Sequence, residues 1–160
     1  MVEQLHRRRV LKFLEASYAG DIDAALACCT DDVSTLAYLP VELFPHLGPR
    51  QGKAAIAELL RHQAARYSRR SFEISFLTAS ADGAAAILEV SLTKRSDGRV
   101  IRLTAGNFFS FRRGLIADMR SFLDTVDAIE QLTGRDVVDM LKTETGLAQH
   151  LSEAPAKERM

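Results

Sequence analysis

In three parts of the chain apolar side chains recur at every third or fourth position, the spacing of a helix with one buried face. In the first part these residues are Val10, Leu11, Phe13, Leu14 and Tyr18. The predicted helices cover residues 3–19, 22–29 and 53–67. A glycine at position 20 fits the end of the first helix, and an aspartate at position 21 fits the N-cap of the second.

Farther along, the pattern changes to the alternation typical of half-buried strands. The predicted strands cover residues 33–39, 72–76, 84–94, 100–111 and 115–123. Asp97-Gly98 indicates a two-residue hairpin turn, and Arg112–Gly114 indicates a three-residue turn. Helices followed by an antiparallel meander predict an α+β fold, in which a curved sheet wraps around the long first helix and leaves an internal pocket.

Two segments fall outside this pattern. Residues 40–52 form a long stretch with three prolines, in which Phe44 and His46 stand out. Loops of this length are typically functional, and we expect this one to cover the mouth of the pocket, with Tyr38 leading into it. At the other end, residues 126–151 carry two short helical patterns broken at Gly134, and residues 152–160 are predicted to be a polar, mobile tail.

The two turns select one face of the predicted sheet, because turn length determines register. That face is apolar except at Asn107 and Ser121, which the register makes diagonal neighbours. Its other members are Leu88, Val90, Leu92, Ile101, Leu103, Ala105, Phe109, Phe111, Leu115, Ala117, Met119 and Leu123. A polar pair in an apolar concavity is typical of a small-molecule site. The alternative is that the two side chains satisfy only each other inside a closed core.

Composition narrows the choice of partners. The chain has 160 residues, 47% of them apolar, and its 21 Lys and Arg balance its 21 Asp and Glu. Balanced charge disfavours nucleic acid, and no run is apolar enough for a membrane span or secretory signal, so we expect a cytoplasmic protein. Cys28 and Cys29 are adjacent, which disfavours a disulfide or a metal site, and no cofactor is expected.

Three stretches resemble the nuclear transport factor 2-like superfamily: FLEASYAGDIDAALACCTDDV, GPRQGKAAIAELL and GNFFSFRRGLIADMRSFLDTVDAIEQL. The nearest groups are the SnoaL-like polyketide cyclases, the ketosteroid isomerases and the limonene epoxide hydrolases. The resemblance implies a SnoaL-like domain over residues 1–132, with a helical extension and tail over residues 133–160. It also implies a cone-shaped pocket and a homodimer, and an exposed Phe108 on the opposite sheet face favours a dimer through that face.

The resemblance also allows the catalytic positions of these enzymes to be compared with this chain. The family's oxyanion-binding tyrosine falls at Phe13, the epoxide hydrolases' arginine falls at Leu88, and the catalytic acids of the three groups fall at Ala37, Val90, Asn107 and Ser121. None of the carboxylates is retained. Proton abstraction needs a base within hydrogen-bond reach, so the remaining candidates are Asn107 as a polarising donor and His46 as the base.

Two hypotheses follow. The first is an isomerase, cyclase or hydratase that acts on a hydrophobic, carbonyl-bearing small molecule. The second is a ligand-binding or assembly module that has lost the chemistry. In either case the predicted ligand contacts are Phe13, Tyr38, Phe44, Val90, Ala105, Phe109, Met119 and Ser121.

Overall fold

The computed structural model describes residues 1–144. The helices are α1 (Val2–Ala19), α2 (Ile22–Leu26), α3 (Lys53–Arg66), α4 (Thr125–Thr133) and α5 (Val137–Thr143). The strands are β1 (Cys29–Ala37), β2 (Arg50–Gln51), β3 (Tyr67–Ala79), β4 (Gly83–Lys94), β5 (Val100–Arg112) and β6 (Leu115–Leu123). A short 3₁₀ helix, Pro45–Leu47, lies between β1 and β2. The predicted tail and the end of the second C-terminal helical pattern lie outside the described residues.

The strands form one curved sheet in the order β2-β1-β6-β5-β4-β3. The last four strands are an antiparallel meander, whereas β1 runs parallel to β6 and antiparallel to β2. The predicted α+β class is therefore confirmed.

The core lies between α1 and one face of this sheet, which we call the concave face. Buried Val10, Phe13 and Leu14 of α1 pack in one cluster with Leu88 of β4 and Phe109 of β5. The start of α2 is capped as expected, since the Asp21 carboxylate accepts a hydrogen bond from the Ala24 amide. Gly20 ends α1 at φ 79°, a left-handed conformation that glycine adopts without strain.

The first hairpin is longer than predicted. Thr93 pairs with Val100, and the Lys94 amide bonds the Arg99 carbonyl, so four residues and not two form the turn. The predicted pairing of Leu92 with Leu103 is wrong, and Val90 lies opposite Leu103 instead. Because the partner shifts by two residues, every side chain of β4 and β5 keeps the predicted face.

The second hairpin is shorter than predicted. Arg112 pairs with Leu115, and the two-residue turn places Arg113 at φ 53° and Gly114 at φ 74°. Ala117 is then the extra residue of a bulge, because Ser110 pairs with Asp118 and Phe111 with Ile116.

Between the turn and the bulge, the side chains of β6 lie on the sheet face opposite to the one predicted. Ile116, and neither Leu115 nor Ala117, lies opposite Phe111, and Ile116 is fully buried. Beyond the bulge, Met119 and Ser121 have the face that was predicted.

Strand β1 also differs from prediction, because it begins at Cys29 and not at Val33. The sequence extends α2 to Cys29, but pairing of Cys29 with Ile116 draws this residue into the sheet. Burial raises the pKa of the Cys29 thiol to about 12, so the thiol stays protonated at neutral pH.

The chain divides into two compact units, Met1–Thr125 and a second that begins at Val126. The boundary predicted from the sequence follows Leu132, near the end of α4. In the second unit Asp136 caps α5 by accepting from the Asp139 amide. Within the described residues, no helix combines the length and hydropathy that crossing a membrane requires.

Candidate functional site

Asn107 and Ser121 form a direct cross-strand pair on the concave face. They lie opposite each other in β5 and β6, and the diagonal placement predicted from the sequence is wrong. The two-residue turn and the bulge together account for this shift of register. The Ser121 hydroxyl donates to Oδ1 of Asn107 at 2.8 Å, and Nδ2 of Asn107 donates to the Ala105 carbonyl at 3.3 Å.

The surroundings of this pair are apolar. Ala86 lies opposite Asn107 on β4. Phe109 of β5 and Met119 of β6 form the neighbouring cross-strand pair on the same face. The ring of Phe13 meets Phe109 edge-on, with centroids 6.5 Å apart. Asn107 and Ser121 are themselves half-buried, so they lie at the edge of the core and not in its centre.

The pair has hydrogen-bonding capacity beyond these contacts. A side-chain amide carries two N–H donors and two acceptor lone pairs, and a hydroxyl has two lone pairs besides its proton. The mutual bond foreseen for a closed core is therefore present, and it uses only part of what the two groups offer.

The other predicted contacts on this face are packed in the core. Phe13, Val90, Phe109 and Met119 are buried, and Ala105 is half-buried. Their contact with a ligand stays a prediction.

His46 lies against α3. Its ring is 4.3 Å from that of His62, centroid to centroid, and its carbonyl accepts from Nε of Arg50 at 2.7 Å. The pKa of His46 is lowered to about 4, first by burial and then by the nearby charges of His62, Arg66 and Arg50. His46 is therefore neutral at pH 7, the form in which an imidazole accepts a proton.

Two aromatic residues near this segment have separate positions. Phe44 is buried and presents its ring edge-on to His46, so it anchors residues 40–52. Tyr38 stacks on Phe122 with ring centroids 4.2 Å apart, and its hydroxyl accepts from Arg120 at 2.8 Å. Because Phe122 and Arg120 alternate with Ser121 along β6, this places Tyr38 on the outer face of the sheet.

The outer face contains a polar cluster that the sequence did not single out. Asp118 accepts from the Ser34 hydroxyl at 2.6 Å and from Nε of Arg120 at 3.1 Å. Alternation along β6 assigns Asp118 to the face opposite Met119, but neither Ser34 nor Tyr38 is near it in sequence. Only the parallel pairing of β1 with β6 brings the four residues together.

An open depression of about 430 Å³ adjoins this cluster. Its lining includes Gly83, Ala85, Phe108, Ser110, Asp118 and Arg120. It lies on the outer face, so it is separate from the Asn107–Ser121 pair. Among residues 1–144 no group of three or more His, Cys, Asp or Glu side chains is arranged to hold a metal ion.

Comparison with known proteins identifies the family. A model of the SnoaL-like domain matches residues 10–119, more than half of the chain. The chain belongs to the SnoaL-like domain family. The search of curated proteins finds no match.

Solved structures share this SnoaL-like fold. A candidate isomerase from Rhodopseudomonas palustris is 29% identical, covers 79% of this chain and 97% of its own, and superposes with a TM-score of 0.69. A candidate polyketide cyclase from Xanthomonas campestris is 25% identical over 82% of this chain and 99% of its own, with a TM-score of 0.72. An epoxide hydrolase from M. tuberculosis, 20% identical over 87% and 96% with a TM-score of 0.68, shows the fold alone.

Proposed function

We propose that this SnoaL-like protein binds a hydrophobic, carbonyl-bearing small molecule at its concave face and isomerises, cyclises or hydrates it. The observation that carries the proposal is the Asn107–Ser121 pair in otherwise apolar surroundings. Apolar surfaces with a few convergent polar groups are typical of small-molecule sites. The likeness to a candidate isomerase and a candidate cyclase supports the same chemistry.

The chemical role of the amide follows from its charge state. Asn107 is neutral and carries N–H groups, so it can stabilise negative charge that develops on a carbonyl oxygen. It cannot act as the base, because a side-chain amide does not take up a proton at neutral pH. The neutral imidazole of His46 can take up a proton, but a pKa of about 4 makes it a weak base where it lies, and to act as the base it would have to leave its contact with His62 and reach the concave face.

A second function is favoured by the same pair. Ser121, Asn107 and the Ala105 carbonyl are joined by hydrogen bonds that form without a ligand. Neither position of the pair carries an acid. A ligand-binding or assembly module without catalysis is consistent with both observations.

The experiment measures binding and turnover on one panel of apolar ketones, from 1-tetralone, which tests binding, to androst-5-ene-3,17-dione, a β,γ-unsaturated ketone that can also isomerise. A ligand present at one hundred times its dissociation constant stabilises the protein by about 2.7 kcal/mol, which thermal unfolding detects. We expect Asn107→Ala to weaken binding about fivefold to tenfold, since one hydrogen bond is lost. Thr104→Ala, on the outer face of the same strand, is the matched control.

The outcomes separate the two functions. Product formation that Asn107→Ala abolishes supports the enzyme, and binding without product supports the module. Unchanged melting with every ketone in the panel overturns the proposal.

We also propose that the outer face binds a second copy of the chain. The outer face carries five aromatic or aliphatic residues that are 38–52% exposed, four of them on β3 to β6 and one just after β1: Phe76, Ile87, Phe108, Phe122 and Tyr38. Asp118 and Arg120 beside them carry opposite charges, so the same surface on a second copy offers complementary charges. Exposed apolar patches of this kind mark interaction sites.

A further inference from the structure

We infer that Ser121 is a positioning residue that holds the Asn107 amide in the orientation fixed by the Ala105 carbonyl, so that the ligand atom recognised by Asn107 is a hydrogen-bond acceptor. The inference rests on the proposed function and specifies the ligand chemistry at the same site.

The Ala105 carbonyl determines which way the amide lies. A carbonyl oxygen can only accept, so the amide atom 3.3 Å from it must be Nδ2. If the amide were flipped, Oδ1 would face the Ala105 carbonyl, and two acceptors would be in contact without a proton between them. Oδ1 therefore faces Ser121.

The orientation of the amide then determines the role of the serine. Oδ1 cannot donate, so the hydroxyl proton of Ser121 must lie in the 2.8 Å bond to Oδ1. One N–H of Nδ2 is used by Ala105, and the second N–H is the donor left on the pair. The serine proton is already committed, so Asn107 is the group that presents a donor to a ligand.

This arrangement predicts a ranking of ligands. A keto oxygen placed at Nδ2 accepts the second N–H and leaves no group of its own unpaired. A methylene group at the same place leaves that N–H without a ligand partner. An alcohol also accepts the N–H, but its own proton must at the same time reach a remaining lone pair of Asn107 Oδ1 or Ser121 Oγ, a constraint on its orientation that a ketone does not have.

The test uses three probes with one carbon skeleton: 1-tetralone, 1-tetralol and tetralin. Binding is measured by calorimetry, and the carbonyl stretch of bound 1-tetralone is measured by infrared difference spectroscopy. We expect 1-tetralone to bind about fivefold to tenfold more tightly than tetralin, and more tightly than 1-tetralol, with its carbonyl stretch shifted to lower wavenumber.

The variants separate positioning from simple packing. Ser121→Ala should reduce the ketone preference about threefold and broaden the carbonyl band, because the amide loses one of its two anchors. Ser121→Thr keeps a hydroxyl that can donate to Oδ1 and should restore both the preference and the band. Tetralin binding should be the same in all three proteins, and this would show that the apolar surface around the pair is intact.

The possible failures are distinguishable. Equal binding of the three probes, or a carbonyl band that Ser121→Ala leaves unchanged, overturns the inference and leaves the proposed binding function standing. Failure of Ser121→Thr to restore the band also overturns it. If none of the three probes binds, the inference falls, and the proposed function falls with it only when the other ketones of the panel also leave the melting temperature unchanged.

Discussion

At the scale of single residues, Arg95 shows how one side chain completes a helix that is distant in sequence. It lies in the turn between β4 and β5, where its guanidinium donates to the carbonyls of Ala64, Ala65 and Tyr67 at 3.0–3.4 Å. Its backbone amide bonds the carbonyl of Arg66 at 3.0 Å. The last carbonyls of a helix have no partner within it, so Arg95 supplies donors and a positive charge at the end of α3.

We expect Arg95→Ala to lower the free energy of unfolding by about 1 kcal/mol, since three exposed, charge-assisted bonds are lost while water partly replaces them. Denaturant unfolding at pH 7 measures the change. Arg61→Ala, which removes an exposed arginine from the same helix, is the matched control and should have little effect. Equal stability of the two variants would contradict a capping role for Arg95.

At the scale of elements, residues 40–52 are held against α3 by one ring contact and by Arg50. Phe44 is buried beside His46, and His46 packs on His62 of the helix. Arg50 ties the segment to the helix start, because its guanidinium donates to the Ala55 carbonyl at 3.3 Å and contacts Glu58 at 3.5 Å. The packing of His46 on His62 favours a neutral His46, because burial and the charges of His62, Arg66 and Arg50 all disfavour a positive charge there.

The pH dependence follows from the direction of that shift. The pKa of His46 is about 4 in the folded protein and 6.5 ordinarily, so between these values the unfolded chain binds more protons. The docking contribution is complete above pH 6.5 and is lost as the pH falls toward 4. We expect the loss to be about 1 kcal/mol, since the exposed part of the ring is screened by solvent.

Unfolding free energies at pH 7.5 and pH 5 measure this effect. His46→Phe keeps an aromatic ring without a titrating group, so its stability should change less between the two pH values than that of the unaltered protein. His62→Phe removes one of the opposing groups and should have an intermediate slope. The same pH dependence in all three proteins would rule out His46 as the source.

At the scale of the whole molecule, the packing of a single chain does not account for the exposed aromatic residues of the outer face. Phe108 is 52% exposed and contacts Phe122 edge-on, with ring centroids 5.6 Å apart. Arg120, which is bonded to Asp118, lies directly opposite Phe108 and donates to the Tyr38 hydroxyl, so the patch combines aromatic residues with an arginine. Aromatic residues and arginine are enriched in protein interfaces.

We expect the unaltered protein to sediment as a dimer and Phe108→Glu to sediment as a monomer at the same concentration. A carboxylate at this position would lose its water on association, and Arg120 opposite it is already bonded to Asp118, so association should weaken at least about tenfold. Analytical ultracentrifugation measures the masses. Leu43→Glu, at an exposed apolar residue in the segment over residues 40–52, is the control and should leave the dimer intact. A monomeric unaltered protein would overturn the proposal.

The fold was predictable because its signals are local and repeated. Helical spacing around Val10 and Phe13, and alternation along β4 to β6, each recur over many residues, so an error at one position changes little. The face of Asn107 also survived a wrong turn length, because the first hairpin shifted by two residues and side chains alternate with a period of two.

The contacts of the site residues depended on single structural features, which a repeating sequence pattern does not reveal. The bulge at Ala117 moved Asn107 from a diagonal to a direct contact with Ser121, and nothing in the local pattern marks that residue as extra. His46 and His62 are brought together only by docking of a loop on a helix.

The sequence by itself therefore determined the main elements, the α+β class and the face on which the polar pair lies, since these follow from periodic burial, while its resemblance to known proteins indicated the family. Tertiary structure alone decided which atom donates to which in that pair, the depressed pKa of His46 and the position of Tyr38 on the outer face. Each of these depends on distances of a few ångströms between residues far apart in the chain, and hydrogen bonds and charge interactions are sensitive to distance on that scale.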